Sequence, residues 1–212
     1  MTRNQLHGKK FEDWIKACGR FPGSSDAARL PTARFDIEAR FDRELGLPTS
    51  IKATGNKTIG LSDARGFWEV SETIRMIVGT FKQDQDQKAF FAIHEFILAA
   101  DVLNRLRGDL SLAEVTNLHN GISTQYFAAD DYRAARSWAK QQKKSLRVRM
   151  ANVVLNPKID SKSQRRFQCS VSLDSLIEQT TLNQTYWCHT ERMGEFALPV
   201  VLFSSPREFI QS

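Results

Sequence analysis

The sequence has little cysteine, little proline and no long apolar run. Only Cys18, Cys169 and Cys188 occur in 212 residues. An odd, widely spaced set of thiols suits a reducing interior rather than a disulfide framework. No apolar stretch approaches the ~18 residues of a membrane span. The segment from Met1 to Lys10 is basic with no apolar stretch behind it, so no secretory signal is expected and the chain is expected in the cytoplasm, away from membranes. CxxC, HExxH and GxxxxGK[ST] are all missing, which leaves zinc-ribbon, zincin and P-loop readings without their motifs. Ser24-Ser25 has no histidine partner at a recognisable spacing, so serine-hydrolase chemistry has no support. There is no internal repeat and no low-complexity tract.

What is present is globular. The chain is 41% hydrophobic and 25% charged, which argues against a wholly disordered chain. At about 100–200 residues per domain, one domain spanning 1–212 with one core is expected. Phe11, Trp14, Ile15 and Cys18 share one face of a helix over 9–18. Arg34 to Asp42 alternates, with Phe35, Ile37, Ala39 and Phe41 on one side and Arg34, Asp36, Glu38, Arg40 and Asp42 on the other; this predicts a strand. Thr49–Thr54 is expected to pair with it as a hairpin. Ser62-Asp63 can cap a short helix to about Glu69. Thr73–Phe81 and Lys88–Leu98 read as strands, and 112–119 and 129–145 as helices. Leu146–Met150 and Arg166–Leu173 alternate again around a polar hairpin tip at 156–164, and Ala197–Phe203 reads as a late strand. The expected fold class is α+β, mixed α/β, with a central mixed sheet flanked by helices. Trp68, Trp138 and Trp187 are expected in the core, Cys169 as a small buried residue, and His94-Glu95 as a buried, hydrogen-bonded pair.

The charge is concentrated. Thirty Lys+Arg against 24 Asp+Glu give +6. Residues 133–166 hold eleven basic residues and one acid, Asp160, for +10, so the remainder carries −4. Such clustering is what a phosphate-binding face requires. Candidate contacts are Arg133, Arg136, Lys140, Lys143 and Lys144 on the helix, Lys158, Lys162, Gln164, Arg165, Arg166 and Gln168 around the hairpin, and Lys57 in an earlier loop. Arg reads guanine bidentately, Gln reads adenine, and a two-stranded ribbon fits the major groove. The part from about 129 to 175 is therefore expected to track and read DNA.

A second constellation is acidic. Asp36 and Glu38 are two apart on the expected strand and so share a face, and Lys52 lies on the next one. Clustered carboxylates suit Mg²⁺, and a nearby lysine can assist a water and neutralise charge on phosphorus. A helix carrying Glu12, an Asp on one strand, Lys52 on the next, and then a helix and another strand resemble the PD-(D/E)xK core, the restriction-endonuclease-like fold. The resemblance covers roughly residues 8–80, with a core to about 100. It implies that Asp36 is the first acid and a Mg²⁺ ligand and that Lys52 assists hydrolysis. It implies a Mg²⁺-dependent nuclease that cuts duplex DNA at a specific sequence, in the manner of a type II restriction endonuclease, acting as a homodimer. Two departures stand out: Phe35 replaces the proline, and Ser50 replaces the acid of (D/E)xK. Glu38, Glu69 or Glu72 could supply the missing carboxylate. Glu38 is favoured because hairpin partners lie within ~5 Å of each other. Asp42 is an alternative first Asp.

Overall fold

The strands read at 73–81 and 88–98 are the longest among the described residues. The protein is described here by a computed structural model, in which residues 3–18, 21–22, 24, 34–84, 87–123, 126–128, 130–160, 164–193, 196–197 and 203–204 are described. Its architecture is mixed α+β, with two main sheets and six α-helices among the described residues. The chain forms two compact units, one from residues 1–59, 73–99 and 180–212, the other from 60–72 and 100–179.

The first unit holds helix α1 (Arg3–Ala17) and a mixed sheet. Strand β1 (Thr49–Thr54) pairs in parallel with β3 (Ile74–Asp84), and β3 runs antiparallel to β4 (Gln87–Leu98). Strand β4 is long enough to take two further partners, β7 (Tyr186–His189) and the two-residue β10 (Phe203–Ser204). A small ribbon pairs β8 (Arg192–Met193) with β9 (Phe196–Ala197). The late strand expected at 197–203 is thus represented by β9 and β10, and residues 198–202 lie outside those described.

Helix α1 docks on this sheet through the expected stripe. Phe11 and Ile15 are fully buried with Phe21, Ile51, Ile77, Phe90 and Ile93. The Phe11 and Phe90 rings stack at 4.5 Å, over Gly79 of β3, where a Cβ would collide with both rings. A glycine in mid-strand normally weakens it; here it makes room for the helix.

The expected strand at 34–42 is a correction. Only Ile37 bridges to Thr49, residues 34–36 bend, and Ala39–Phe41 form one 3-10 turn. The cause is Asp42. Its buried carboxylate accepts the N–H groups of Glu44, Leu45 and Leu47 and lies 3.6 Å from Arg75 Nη2. A side chain that captures three nearby backbone donors turns the chain instead of extending it. Strand β1 pairs with β3 along its length and meets 34–42 only through Thr49.

The second unit holds a three-stranded sheet in the order β2 (Thr58–Asp63), β6 (Arg165–Ser172), β5 (Val154–Ile159). Its helices are α2 (Ala64–Trp68), α3 (Ala100–Arg107), α4 (Leu112–Gly121), α5 (Tyr132–Leu146) and α6 (Leu173–Thr181). Asp63 caps α2 as expected, accepting the Gly66 N–H at 3.0 Å. Residues 147–149 form a 3-10 turn, not the expected strand. Strand β6 pairs with 154–159 instead, so the hairpin is shorter than its sequence suggested. Trp68 is in the core, its indole N–H on the Leu110 carbonyl at 2.7 Å, and Cys169 is buried. Trp187 is not in the core: it is 47% exposed.

Asp42 and Arg75 side chains are 0% and 1% exposed. Removing one partner of a buried pair leaves the other charge unpaired, so Asp42→Ala should lose about 3–5 kcal/mol in urea unfolding. Gly79→Ala should cost about 1–3 kcal/mol by overpacking, read the same way.

Candidate functional site

The acidic–lysine constellation forms at the start of β1. Asp36 and Ile37 N–H groups both reach the Thr49 carbonyl at 3.0 Å, and the Thr49 N–H returns to Ile37 at 2.8 Å. This lays the 36–37 segment against the strand. Asp36 Oδ2 then accepts the Ile51 N–H at 2.7 Å. Ser50 Oγ stands 3.4 Å from the same oxygen and Lys52 Nζ 3.5 Å. Ser50 and Lys52 share a face of β1 by the two-residue period. The Lys52 and Asp36 side chains keep 21% and 14% of their exposure, so the pair is partly desolvated and still reachable.

The other carboxylates are placed differently. Glu38 precedes the 3-10 turn and lies 2.9 Å from Arg40 Nε, so the shared strand face expected for Asp36 and Glu38 does not form. Glu12 is buried in α1 with Lys16 at 2.5 Å. Glu69 and Glu72 belong to the second unit, where Glu69 holds Arg65 at 2.9 Å and Glu72 is exposed. Asp42 is consumed by the turn described above. Among the described residues no group of three or more His, Cys, Asp or Glu could hold a metal. The donor set at β1 still fits Mg²⁺, which usually keeps several waters and takes one or two carboxylates plus substrate phosphate; Asp36 is the carboxylate that would hold it. Lys57 is exposed in the turn after β1 with φ at 62°.

His94 and Glu95 are both buried and hydrogen-bonded, but to β7 and not to each other. His94 Nδ1 is 3.0 Å from the Tyr186 hydroxyl, and Glu95 Oε1 is 2.7 Å from His189 Nε2. Alternation along β4 sends the two to opposite faces. Burial, aided by His189, holds His94 below the usual imidazole range.

In the second unit the basic residues divide into two groups. At 3.6 residues per turn, Arg133, Arg136, Lys140, Lys143 and Lys144 fall within an arc of about 100° on α5. No acid lies between them. Like charges at i, i+4 are destabilising, so the stripe exists at a cost. Some of these cations are structural. Arg136 donates Nε to the Ile159 carbonyl at 3.0 Å, closing the free edge of β5. Arg165 donates to the carbonyls of Ile122, Phe127 and Ala128. Arg149 is forked onto Glu114, which holds that carboxyl down to about 2 with help from Ser111. Lys143 reaches Asn156 Oδ1 at 3.1 Å, and burial lowers its pKa.

The remaining cations face solvent. Arg133, Lys140, Lys144, Arg147, Lys158 and Arg166 are exposed, as is the neutral Gln164. Lys158 stands directly across from Arg166 on the β5–β6 pair, and Asn156 across from Gln168. Like charges directly opposite one another on a sheet are destabilising. A side-by-side pair of cations with amides behind it is an arrangement that a polyanion would relieve. Lys162 lies outside the described residues. Sequence reasoning missed Asn156, which Lys143 and Ser170 both contact; its signal was only the register of a hairpin drawn too long.

Comparison with known proteins returned no matching family model, no matching curated protein and no matching solved structure.

Arg166→Glu should turn the repulsive cross-strand pair into an attractive one. We expect a gain of about 0.2–1 kcal/mol in urea unfolding. Glu114, with its folded pKa depressed from 4.5 to about 2, stabilises fully above pH 4.5, and that contribution is lost as pH falls toward 2. The stabilities of wild type and Glu114→Gln should therefore converge over that window in acid titrations.

Proposed function

We propose that this chain is a Mg²⁺-dependent endodeoxyribonuclease that hydrolyses duplex DNA at a specific sequence, working as a homodimer. The observation that carries the reading is the convergence of Ser50 and Lys52 on one oxygen of Asp36, at 3.4 and 3.5 Å. That is the arrangement the resemblance to the PD-(D/E)xK core implies, with serine in place of the second acid. The restriction-endonuclease-like core is part of the proposal.

Hydrolysis adds water to phosphorus and breaks one P–O ester bond, leaving a phosphate monoester and a hydroxyl. The Ile51 N–H fixes Asp36 so that its carboxylate cannot swing away. Asp36 would hold Mg²⁺, which supplies Lewis-acid polarisation of the phosphoryl oxygens. Lys52, beside Asp36, neutralises charge that builds on the non-bridging oxygens. The exposed α5 stripe and the Lys158/Arg166 pair would bind the phosphate backbone, and Gln164 and Gln168 would reach base edges.

A specific observation also favours a second reading, a non-catalytic nucleic-acid-binding protein. The cations of the α5 stripe and of the hairpin pair belong to the second unit and none of them depends on Asp36 or Lys52.

The test is a digest of plasmid and phage DNA with Mg²⁺ or EDTA, beside Lys52→Ala. Discrete bands that need both Mg²⁺ and Lys52 are expected. A smear with the same dependence means a structure-selective or non-specific nuclease. Binding without cleavage on unmodified, methylated and branched DNA transfers the case to the second reading. In either case Lys140→Ala with Lys144→Ala should lower the slope of log K against log[salt] by about 2, because each phosphate contact contributes about 0.9.

A further inference from the structure

Strand β7 is an edge of the first unit's sheet. It pairs with β4 on one side, and among the described residues nothing pairs with it on the other. The register shows what that edge offers. The Ile97 N–H donates to the Thr185 carbonyl at 2.9 Å, Glu95 stands across from Trp187, and Ile93 across from His189. Every second pair of an antiparallel ladder is the hydrogen-bonded kind. Trp187 and His189 therefore turn their N–H and C=O groups to β4, and Tyr186 and Cys188 turn theirs away from it.

Two other sheet edges are guarded. The outer edge of β1 is taken by Asp36 and Ile37, and the free edge of β5 is closed by Arg136. Edges left open are normally blunted by charge, proline or a bulge. The segment from Leu182 to Thr190 contains no Lys, Arg, Asp, Glu, Pro or Gly. It exposes Cys188 and an indole instead, with Trp187 at 47%. His189, which could carry a positive charge, is held on Glu95 at 2.7 Å. By register, Trp187 lies on the sheet face opposite Ser50 and Lys52. There it lines a cavity of about 260 Å³ together with Leu45, Arg75 and Glu95. Leu45 is also about half exposed, so apolar surface continues inward from the indole.

An uncharged edge meets its own copy without like-charge repulsion. We propose that β7 pairs antiparallel with β7 of a second copy of this chain, about a two-fold axis at Trp187. Tyr186 of each chain then faces Cys188 of the other, and each such pair exchanges two main-chain hydrogen bonds. The two Trp187 residues face each other as the non-hydrogen-bonded pair, with Cα atoms about 4.5 Å apart. A centre at Tyr186 or Cys188 would set each indole against Thr185 or His189 instead. Aromatic cross-strand pairs are favourable, and a two-fold contact closes at the dimer. The pairing deepens the proposed function by naming the surface of its homodimer, and rests on that reading only for the role the dimer serves.

The test is sedimentation velocity of the full chain in EDTA, without DNA. A dimer that forms with rising concentration is expected. Trp187→Lys places a charge on the edge and removes the indole, and should raise the dimer Kd about tenfold or more with circular dichroism unchanged. Oxidation reads the register, since Cys18 and Cys169 are buried. Trp187→Cys with Cys188→Ser should give a disulfide-linked dimer, because a Cα separation of about 4.5 Å lies within the bridging range of about 4.4–6.8 Å. In the wild-type chain the two Cys188 residues lie about 8 Å apart and should not cross-link. The cross-linking carries the test if Trp187→Lys does not fold. A monomer at every concentration, a dimer that Trp187→Lys leaves unaltered, or cross-linking through Cys188 and not through position 187 overturns the proposal. A dimer that persists in Trp187→Lys removes this surface and leaves the homodimer of the proposed function standing. Cleavage does not enter the measurement, so its outcome is separate from that of the DNA digest.

Discussion

The arrangement of the first unit depends on one buried ion pair. Asp42 and Arg75 are both sealed from solvent, and such a pair is tolerated only when further hydrogen bonds satisfy its oxygens. Here the N–H groups of Glu44, Leu45 and Leu47 do so. They turn the chain between residues 42 and 47, and the Arg75 N–H then meets the Pro48 carbonyl at 2.9 Å. The start of β1 is thereby set alongside β3 in parallel. With β1 in that place, its free edge is left to Asp36, whose carboxylate takes the Ile51 N–H. The pair that organises the turn thus also positions the candidate chemistry several residues upstream.

Serine at position 50 changes how that chemistry is built. Where the resemblance would supply a second acid, Ser50 offers a hydroxyl to Asp36 instead. One carboxylate, one ammonium and one hydroxyl then meet at a single strand edge. Glu38 has its partner in Arg40, two residues away, and Glu69 has its own in Arg65.

The basic segment shows how charge density divides on folding. Arg136, Arg149 and Arg165 hold carbonyls or a carboxylate, and so brace helices and strand ends. The cations left to solvent form a stripe on α5 and a facing pair on the hairpin. Repulsion among them is a standing cost to the second unit, and a bound polyanion would offset it.

Several features were legible in the sequence because they depend on local chemistry. The α1 stripe, the Asp63 cap, the long β3 and β4 strands and the basic helix follow from side-chain period, capping and composition. The charged residues were legible only as a density, not as contacts. Residues 34–42 alternate as a strand should, yet only Ile37 bridges to β1, whose full-length pairing goes to β3. The segment at 146–150 alternates too, but the hairpin register belongs to 154–159. Arg165 and Arg166 are neighbours of identical charge, and one is structural while the other faces solvent. Asp36 and Lys52 could be singled out from the strand pattern, and Ser50 from the resemblance. That they share one oxygen, and that Arg75, Glu95 and Trp187 enclose a cavity on the opposite face, was decided only when strands distant in sequence paired. Pairing register is a nonlocal property: it assigns each side chain to a face by its partners, and a single chain read in order does not contain them.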